Sequence, residues 1–182
     1  MSSYQLQPVA GTTRSTLLKA GIAGGVITAA AGAFSQVLWF TSDVPDDLWR
    51  FPWSAGAYPA VNTLWAVAHV LVIAGLLGLG RSRGLLIAVA GSALLTVAEL
   101  ASIPVAESTD PGAVMALFFG GALMSAIGLL MAGRATRLAG LWAVAYLGFA
   151  MTPLIYTGIG LWGVLLAIAF AGERRGAGQP SG

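Results

Sequence analysis

The sequence predicts an all-α polytopic membrane protein: six transmembrane helices in a compact bundle, with both termini on the cytoplasmic side. Three observations carry that expectation. Hydrophobic residues make up 57% of the 182-residue chain and charged residues only 9%, against about 25% charged in an ordinary soluble domain. So few charges cannot cover a water-exposed surface. The apolar residues gather into runs of the length needed to cross a hydrocarbon core of about 30 Å. The arginines fall at alternate junctions between those runs, as the positive-inside rule requires.

The same composition removes several classes of function. Net charge is only +2, and no run or face concentrates basic residues as a nucleic-acid partner would demand. The absence of cysteine excludes disulfides, thiolate metal sites and Cys nucleophiles. Length and uniform composition make residues 1–182 a single transmembrane domain.

Each element follows from local chemistry. Residues 1–13 are a polar tail without periodicity. Arg14 and Lys19 introduce the first span, residues 17–40. Ala31, Gly32 and Ala33 resemble the cleavage site of a secretory leader, but the apolar run continues through Phe34, Val37, Leu38, Trp39 and Phe40, which makes it a crossing. Residues 41–59 form the outer loop: three Asp and three Pro break a helix there, while Trp49 and Trp53 suit the headgroup zone. The second and third spans, residues 60–80 and 85–105, are joined by the turn Arg81, Ser82, Arg83, Gly84. An acidic connection with Glu107 and Asp110 leads to the fourth span, residues 113–132, which stops at Gly133 and Arg134. The fifth, residues 138–152, ends before Pro153, and the sixth covers residues 156–171. These last two are short for a crossing, so one re-entrant element is the alternative. Arginines at both polar exits favour two crossings. Residues 173–182 read as a disordered cytoplasmic tail.

With six crossings, Arg14, Lys19, Arg81, Arg83, Arg134, Arg137, Arg174 and Arg175 share one side. Arg50 stands alone on the other, among Asp43, Asp46, Asp47, Glu107 and Asp110. The expected location is a bacterial-type inner or plasma membrane. The acidic group could draw a cation to the outer mouth; its plainer reading is a solvated loop obeying the charge rule. The run from Gly75 to Arg81 recurs in outline from Gly128 to Arg134, as in proteins with parallel repeats, though Gly/Leu/Ala-rich sequence matches itself easily. Twenty-five glycines supply small surfaces for close helix contact in lipid. Those surfaces would also serve a homo-oligomer or a larger membrane complex.

One pair of residues stands out chemically. His69 is the only histidine, in the second span, and Glu99 is a carboxylate deep in the third. Counting 1.5 Å per residue, their depths differ by about 4–5 Å, and sequential antiparallel spans are usually neighbours. Asn62, Trp65 and His69 share one face of their helix, and Ser92, Thr96 and Glu99 share one face of theirs. A polar stripe must face the bundle interior, since lipid cannot satisfy it. Gln36 with Ser35, Tyr146 and Tyr156 lie at a depth from which they could join it.

The candidate substrate- or proton-binding set is therefore Glu99, His69, Thr96, Ser92, Asn62, Trp65, Gln36 and Tyr146. An ionisable group at mid-membrane costs about 2.5–3.5 kcal/mol to insert. Desolvation favours the neutral forms of both partners and mutual pairing favours the charged ones. The bland alternative is one structural hydrogen bond between a neutral Glu and a neutral His.

Function then reads as proton- or solute-linked transport or sensing through this centre, or as an accessory subunit. The alternative is a membrane enzyme or a lipid- or quinone-binding protein with a cavity toward the outer leaflet, lined by Trp39, Trp65, His69, Glu99 and Tyr146. A haem with His69 as its single axial ligand is a weaker form of that alternative. The residues specify no cofactor. One histidine and no cysteine argue against a transition-metal site. No nucleophile elbow and no phosphate-binding glycine loop marks a catalytic centre. Trp39, Trp49, Trp53 and Tyr58 read as an outer aromatic belt.

Overall fold

A computed structural model describes residues 11–148 and 152–176. It contains α1 (Gly11–Thr41), α2 (Tyr58–Leu79), α3 (Arg83–Ser102), α4 (Ala113–Ala132), α5 (Arg134–Leu147) and α6 (Ile155–Gly176), with one 3₁₀ turn, Ile103–Val105, extending α3. No strand occurs among the described residues. All of these helices except α5 are long and apolar enough to cross a membrane, so the architecture is that of a transmembrane helical bundle.

The helix ends have identifiable causes. Pro59 sits in the first turn of α2, where its missing N–H would have had no partner. Ser82 caps α3, its hydroxyl accepting the Leu85 N–H at 3.3 Å. Gly133, with φ of 135°, is the whole connection between α4 and α5. A side chain would resist that backbone conformation. The Thr136 hydroxyl then donates to the Leu129 carbonyl at 2.8 Å, satisfying an acceptor in the last turn of α4.

This turn corrects the sequence-based outline of the fifth span. The helix begins at Arg134 rather than residue 138, because a single glycine reverses the chain and no loop is needed. It ends at Leu147, before the expected limit of 152; residues 149–151 lie outside the described residues. The sixth helix likewise continues to Gly176, past the expected 171 and into the stretch expected to be a tail. Arg174 and Arg175 occupy its last turn, where cations complement the helix dipole. At the other end of the chain α1 already begins at Gly11; residues 1–10 and 177–182 are outside the description.

The helices pack in a ring that follows chain order, with α6 closing against α1. Neighbours run antiparallel, and α1–α2, α3–α4 and α6–α1 touch through glycine. A Cβ placed on Gly21 would lie 2.6 Å from the Gly75 Cα. On Gly25 it would meet the Gly163 carbonyl oxygen at 2.7 Å, and on Gly84 the Ala132 nitrogen at 2.5 Å. Lipid gives apolar side chains little reason to leave it, so backbone-to-backbone contact carries more of the association. Val26, Val67, Leu100, Leu123, Leu141 and Ile168, one from each helix, are exposed on the outside of the ring. This is the inverse of a soluble bundle, whose outward faces are polar.

Closing the ring brings the start of α1 to the end of α6. Arg14 Nη2 lies 3.3 Å from Glu173 Oε2, and its Nε donates to the Gly78 carbonyl at 3.2 Å. The α2–α3 and α4–α5 turns, with their arginines, belong to this same end of the bundle. At the opposite end, residues 42–57 and 106–112 are tied together. The Trp49 N–H donates to the Ser108 carbonyl at 2.9 Å, the Arg50 N–H to the Ala106 carbonyl at 3.0 Å, and Arg50 Nε contacts Glu107 Oε1 at 2.8 Å.

Helix α5 has 14 residues, about 21 Å at 1.5 Å per residue, short of a bilayer core of about 30 Å. Its partner α6 starts low for the same reason. Gln36 Nε2 donates to the Pro153 carbonyl at 2.6 Å, while Gln36 Oε1 accepts the Thr157 N–H and hydroxyl, each at 2.9 Å. Gln36 is more than one turn below the end of α1 at Thr41. Residues 153–157, where α6 begins, therefore lie below the end of α1, and a recess opens on the side of residues 42–57.

Candidate functional site

That recess is a cavity of about 460 Å³, within the usual range for small-molecule sites. Its floor is the His69–Glu99 pair. Antiparallel α2 and α3 bring His69 Nε2 to 3.7 Å from Glu99 Oε1, longer than a hydrogen bond but close enough for strong electrostatic coupling out of water. Both side chains are almost fully buried. His69 Nδ1 has no hydrogen-bond partner among the described residues.

Above the pair, α2 and α3 are fastened by a small network. The Ser102 hydroxyl sits 2.9 Å from Asn62 Oδ1 and 2.6 Å from the Glu99 carbonyl. One hydroxyl proton serves only one of those acceptors at a time. Asn62 Nδ2 in turn donates to the Tyr58 carbonyl at 2.9 Å. This fixes the rotation of α3 about its axis, and with it the direction of Glu99.

Aromatic rings make the walls. Trp65 from α2, Tyr146 from α5 and Trp162 from α6 surround the floor. Trp162 lies 6.3 Å from His69 and 6.4 Å from Tyr146 between ring centroids. Higher up, Trp39 packs edge-on against Phe51 at 4.8 Å and against Tyr156 at 5.9 Å. The Tyr156 hydroxyl reaches the Phe51 carbonyl at 3.4 Å. The indole N–H groups of Trp49 and Trp162 are buried without a partner among the described residues. A buried unpaired donor costs about 1–3 kcal/mol.

Of the eight residues in the sequence-derived set, five meet here: Glu99, His69, Asn62, Trp65 and Tyr146 all line the cavity. Three stand elsewhere. Gln36 bridges α1 to the start of α6. The Thr96 hydroxyl donates to the Ser92 carbonyl one turn back, at 3.0 Å. The Ser92 hydroxyl is buried without a partner among the described residues, and neighbouring Gly91 packs against Ser125 of α4. Sequence reasoning overlooked Trp162 and Ser102. A signal for Trp162 was present: it is a large ring set among Gly158, Gly160 and Gly163, so a helix approaching those glycines leaves the ring to fill or wall an interior space. Trp39, Trp53 and Tyr58, expected in an aromatic belt, also line the cavity.

No three His, Asp or Glu side chains among the described residues are grouped closely enough to hold a metal ion. What the site offers is an apolar, ring-lined chamber with one carboxylate and one imidazole at its base. Such a chamber can shelter a small solute from water and exchange a proton with it. No family model, curated protein or solved structure matches this chain.

Proposed function

We propose that this is a multi-pass membrane protein that binds a small solute at the outer end of its bundle and links that binding to a proton held by Glu99 and His69. The supporting observation is the 460 Å³ cavity with that buried pair on its floor. Ionisable groups this deep are costly, and here they border a chamber instead of a packed core. A proton shared by the pair lets the site change charge without exposing either group to lipid.

In the same proposal the chain crosses the membrane six times with both termini cytoplasmic. The arginine-rich turns share an end with the paired residues Arg14 and Glu173, and cytoplasmic loops carry such residues. Helix α5 counts as a crossing because Arg134 and Arg137 stand at its start and α6 returns to Arg174 and Arg175 at its end. The cysteine-free sequence makes the orientation directly testable. In right-side-out vesicles, a thiol reagent that cannot cross the membrane should label Ser54→Cys and leave Ser82→Cys untouched until the vesicles are broken. The opposite pattern overturns the orientation.

Binding is tested by native mass spectrometry of the chain released from mild detergent. The expected spectrum shows a small-molecule adduct that disappears in Ala122→Leu. Ala122 lines the cavity, and a leucine there would occupy the solute's space. An adduct-free spectrum, or an adduct that survives this substitution, counts against the proposal.

A further inference from the structure

Building on the solute-site reading above, we propose that the solute is a monovalent organic cation with an apolar body. The sign of the lining is the first argument. Asp46 and Asp47 stand at the mouth and Glu99 at the floor, while no Lys or Arg lines the chamber. The nearest basic residue in sequence, Arg50, is engaged elsewhere, with Nε on Glu107 at 2.8 Å and Nη1 on the Trp53 carbonyl at 2.9 Å. An anion would meet only carboxylates and uncharged groups.

The walls give the second argument. Aromatic faces carry the negative part of the ring quadrupole and attract a cation, most strongly where water is excluded. Trp65, Tyr146 and Trp162 line the chamber together with Glu99, as do Trp39 and Tyr156, and Trp162 lies 6.3 Å from the His69 ring. The volume, about 460 Å³, is far larger than a bare metal ion needs. It suits a charge carried on ring-sized apolar groups.

Charge balance then ties the cation to a proton. In the empty site the carboxylate of Glu99 is compensated by one proton, carried by Glu99 itself or by His69; either arrangement is neutral overall. A bound cation supplies that positive charge instead, so about one proton leaves to the outer solution for each cation that enters, and the site stays neutral. The titratable groups facing this pair across the chamber are Tyr58 on α2, Tyr146 on α5 and Tyr156 on α6, with Asp46 and Asp47 in the roof; α4 contributes none to the lining.

Intrinsic fluorescence of the full chain in detergent reads the test, because five of the six tryptophans line the chamber. The probes are tetraphenylphosphonium, a permanent cation, and triphenylphosphine oxide, a neutral molecule with similar rings. Tetraphenylphosphonium should quench saturably and bind about tenfold or more tightly than the oxide. Its affinity should rise with pH, by up to about tenfold per unit while one proton is displaced, whereas the oxide should show no such slope. Glu99→Gln should abolish both the preference and the slope. Equal affinities for the two probes, or a preference unchanged in Glu99→Gln, overturn the cation and leave the solute site standing. Failure of both probes to bind overturns the cation and the solute site together. If Glu99→Gln does not fold, the wild-type slope decides: a flat pH profile for tetraphenylphosphonium overturns the proposal.

Discussion

The two halves of this bundle, one bearing the arginine turns and the other residues 42–57, solve opposite packing problems. Toward the arginine-bearing end, helices meet where neither side chain has volume: Gly21 on Gly75, Gly84 on Ala132 and Gly128 on Ala88. Toward the other end α1 and α6 still meet at Gly32 and Gly160, but rings such as Trp39, Trp65, Tyr146 and Trp162 line an open space between the helices. Glycine contacts close completely, because two backbones can approach until they touch. Large stiff rings cannot interlock in the same way, and they hold the helices apart around a chamber. A protein whose outside is apolar cannot use the hydrophobic effect to tell its interior from lipid. Side-chain size does that work here, fastening one end and opening the other.

The comparison breaks most visibly at a glycine contact. A Cβ on Gly128 would collide with the Ala88 backbone, whereas Gly120, on the same helix, has nothing within 4 Å. Gly128→Ala should therefore lower stability by about 1–3 kcal/mol through overpacking, despite the better helix propensity of alanine. Gly120→Ala should be neutral or slightly stabilising, since only propensity acts there. Thermal melts in one detergent measure both. Equal effects at the two positions would mean that close backbone contact is not what fastens the arginine-bearing half.

A smaller effect is expected in the other half. Ala122→Leu adds more volume than either glycine change, but adds it beside open space. It should leave the melting temperature unchanged or raised, as cavity-filling substitutions commonly do. A fall as large as that of Gly128→Ala would mean the chamber is not free to accept a side chain.

Much of this contrast was written in the sequence, for reasons that can be stated. The fourth span was legible to the residue, Ala113–Ala132, because Gly112 and Gly133 flank an uninterrupted apolar run. The meeting of His69 and Glu99 followed from counting depth along two helices joined by a short turn. Gln36, Ser92 and Thr96 were harder. In an apolar helix a hydroxyl can satisfy itself on the carbonyl four residues back, as Thr96 does, so membership of a polar face does not imply a place at the cavity. The partner of Gln36 depended on where α5 ends, and that depended on a one-residue reversal at Gly133. A glycine followed by two arginines reads equally well as a loop, and nothing local in the sequence decides between them.

The smallest expected effect compares the two ends through their ion pairs. Arg14 with Glu173 at 3.3 Å is partly open to solvent on both sides, at 37% and 40% of side-chain area. Such pairs are worth about 0–1 kcal/mol and are screened by salt. Arg50 is only 14% exposed and contacts Glu107 at 2.8 Å, but Glu107 is 62% exposed; Arg50 also donates to the Trp53 carbonyl from a part-buried position. Arg50→Gln should therefore destabilise more than Arg14→Gln, and the share carried by the Trp53 bond should persist at high salt while the cost of Arg14→Gln fades. The asymmetry has a structural reason. The glycine-packed end is already held by backbone contact and gains little from a surface pair. At the chamber end such contact is confined to places like Gly32 against Tyr156 and Gly160 on α6, and Arg50 helps bind residues 42–57 to 106–112. If melts at low and high salt ranked the two substitutions the other way, the roof would have to be held chiefly by its backbone hydrogen bonds, Trp49 to Ser108 and Arg50 to Ala106.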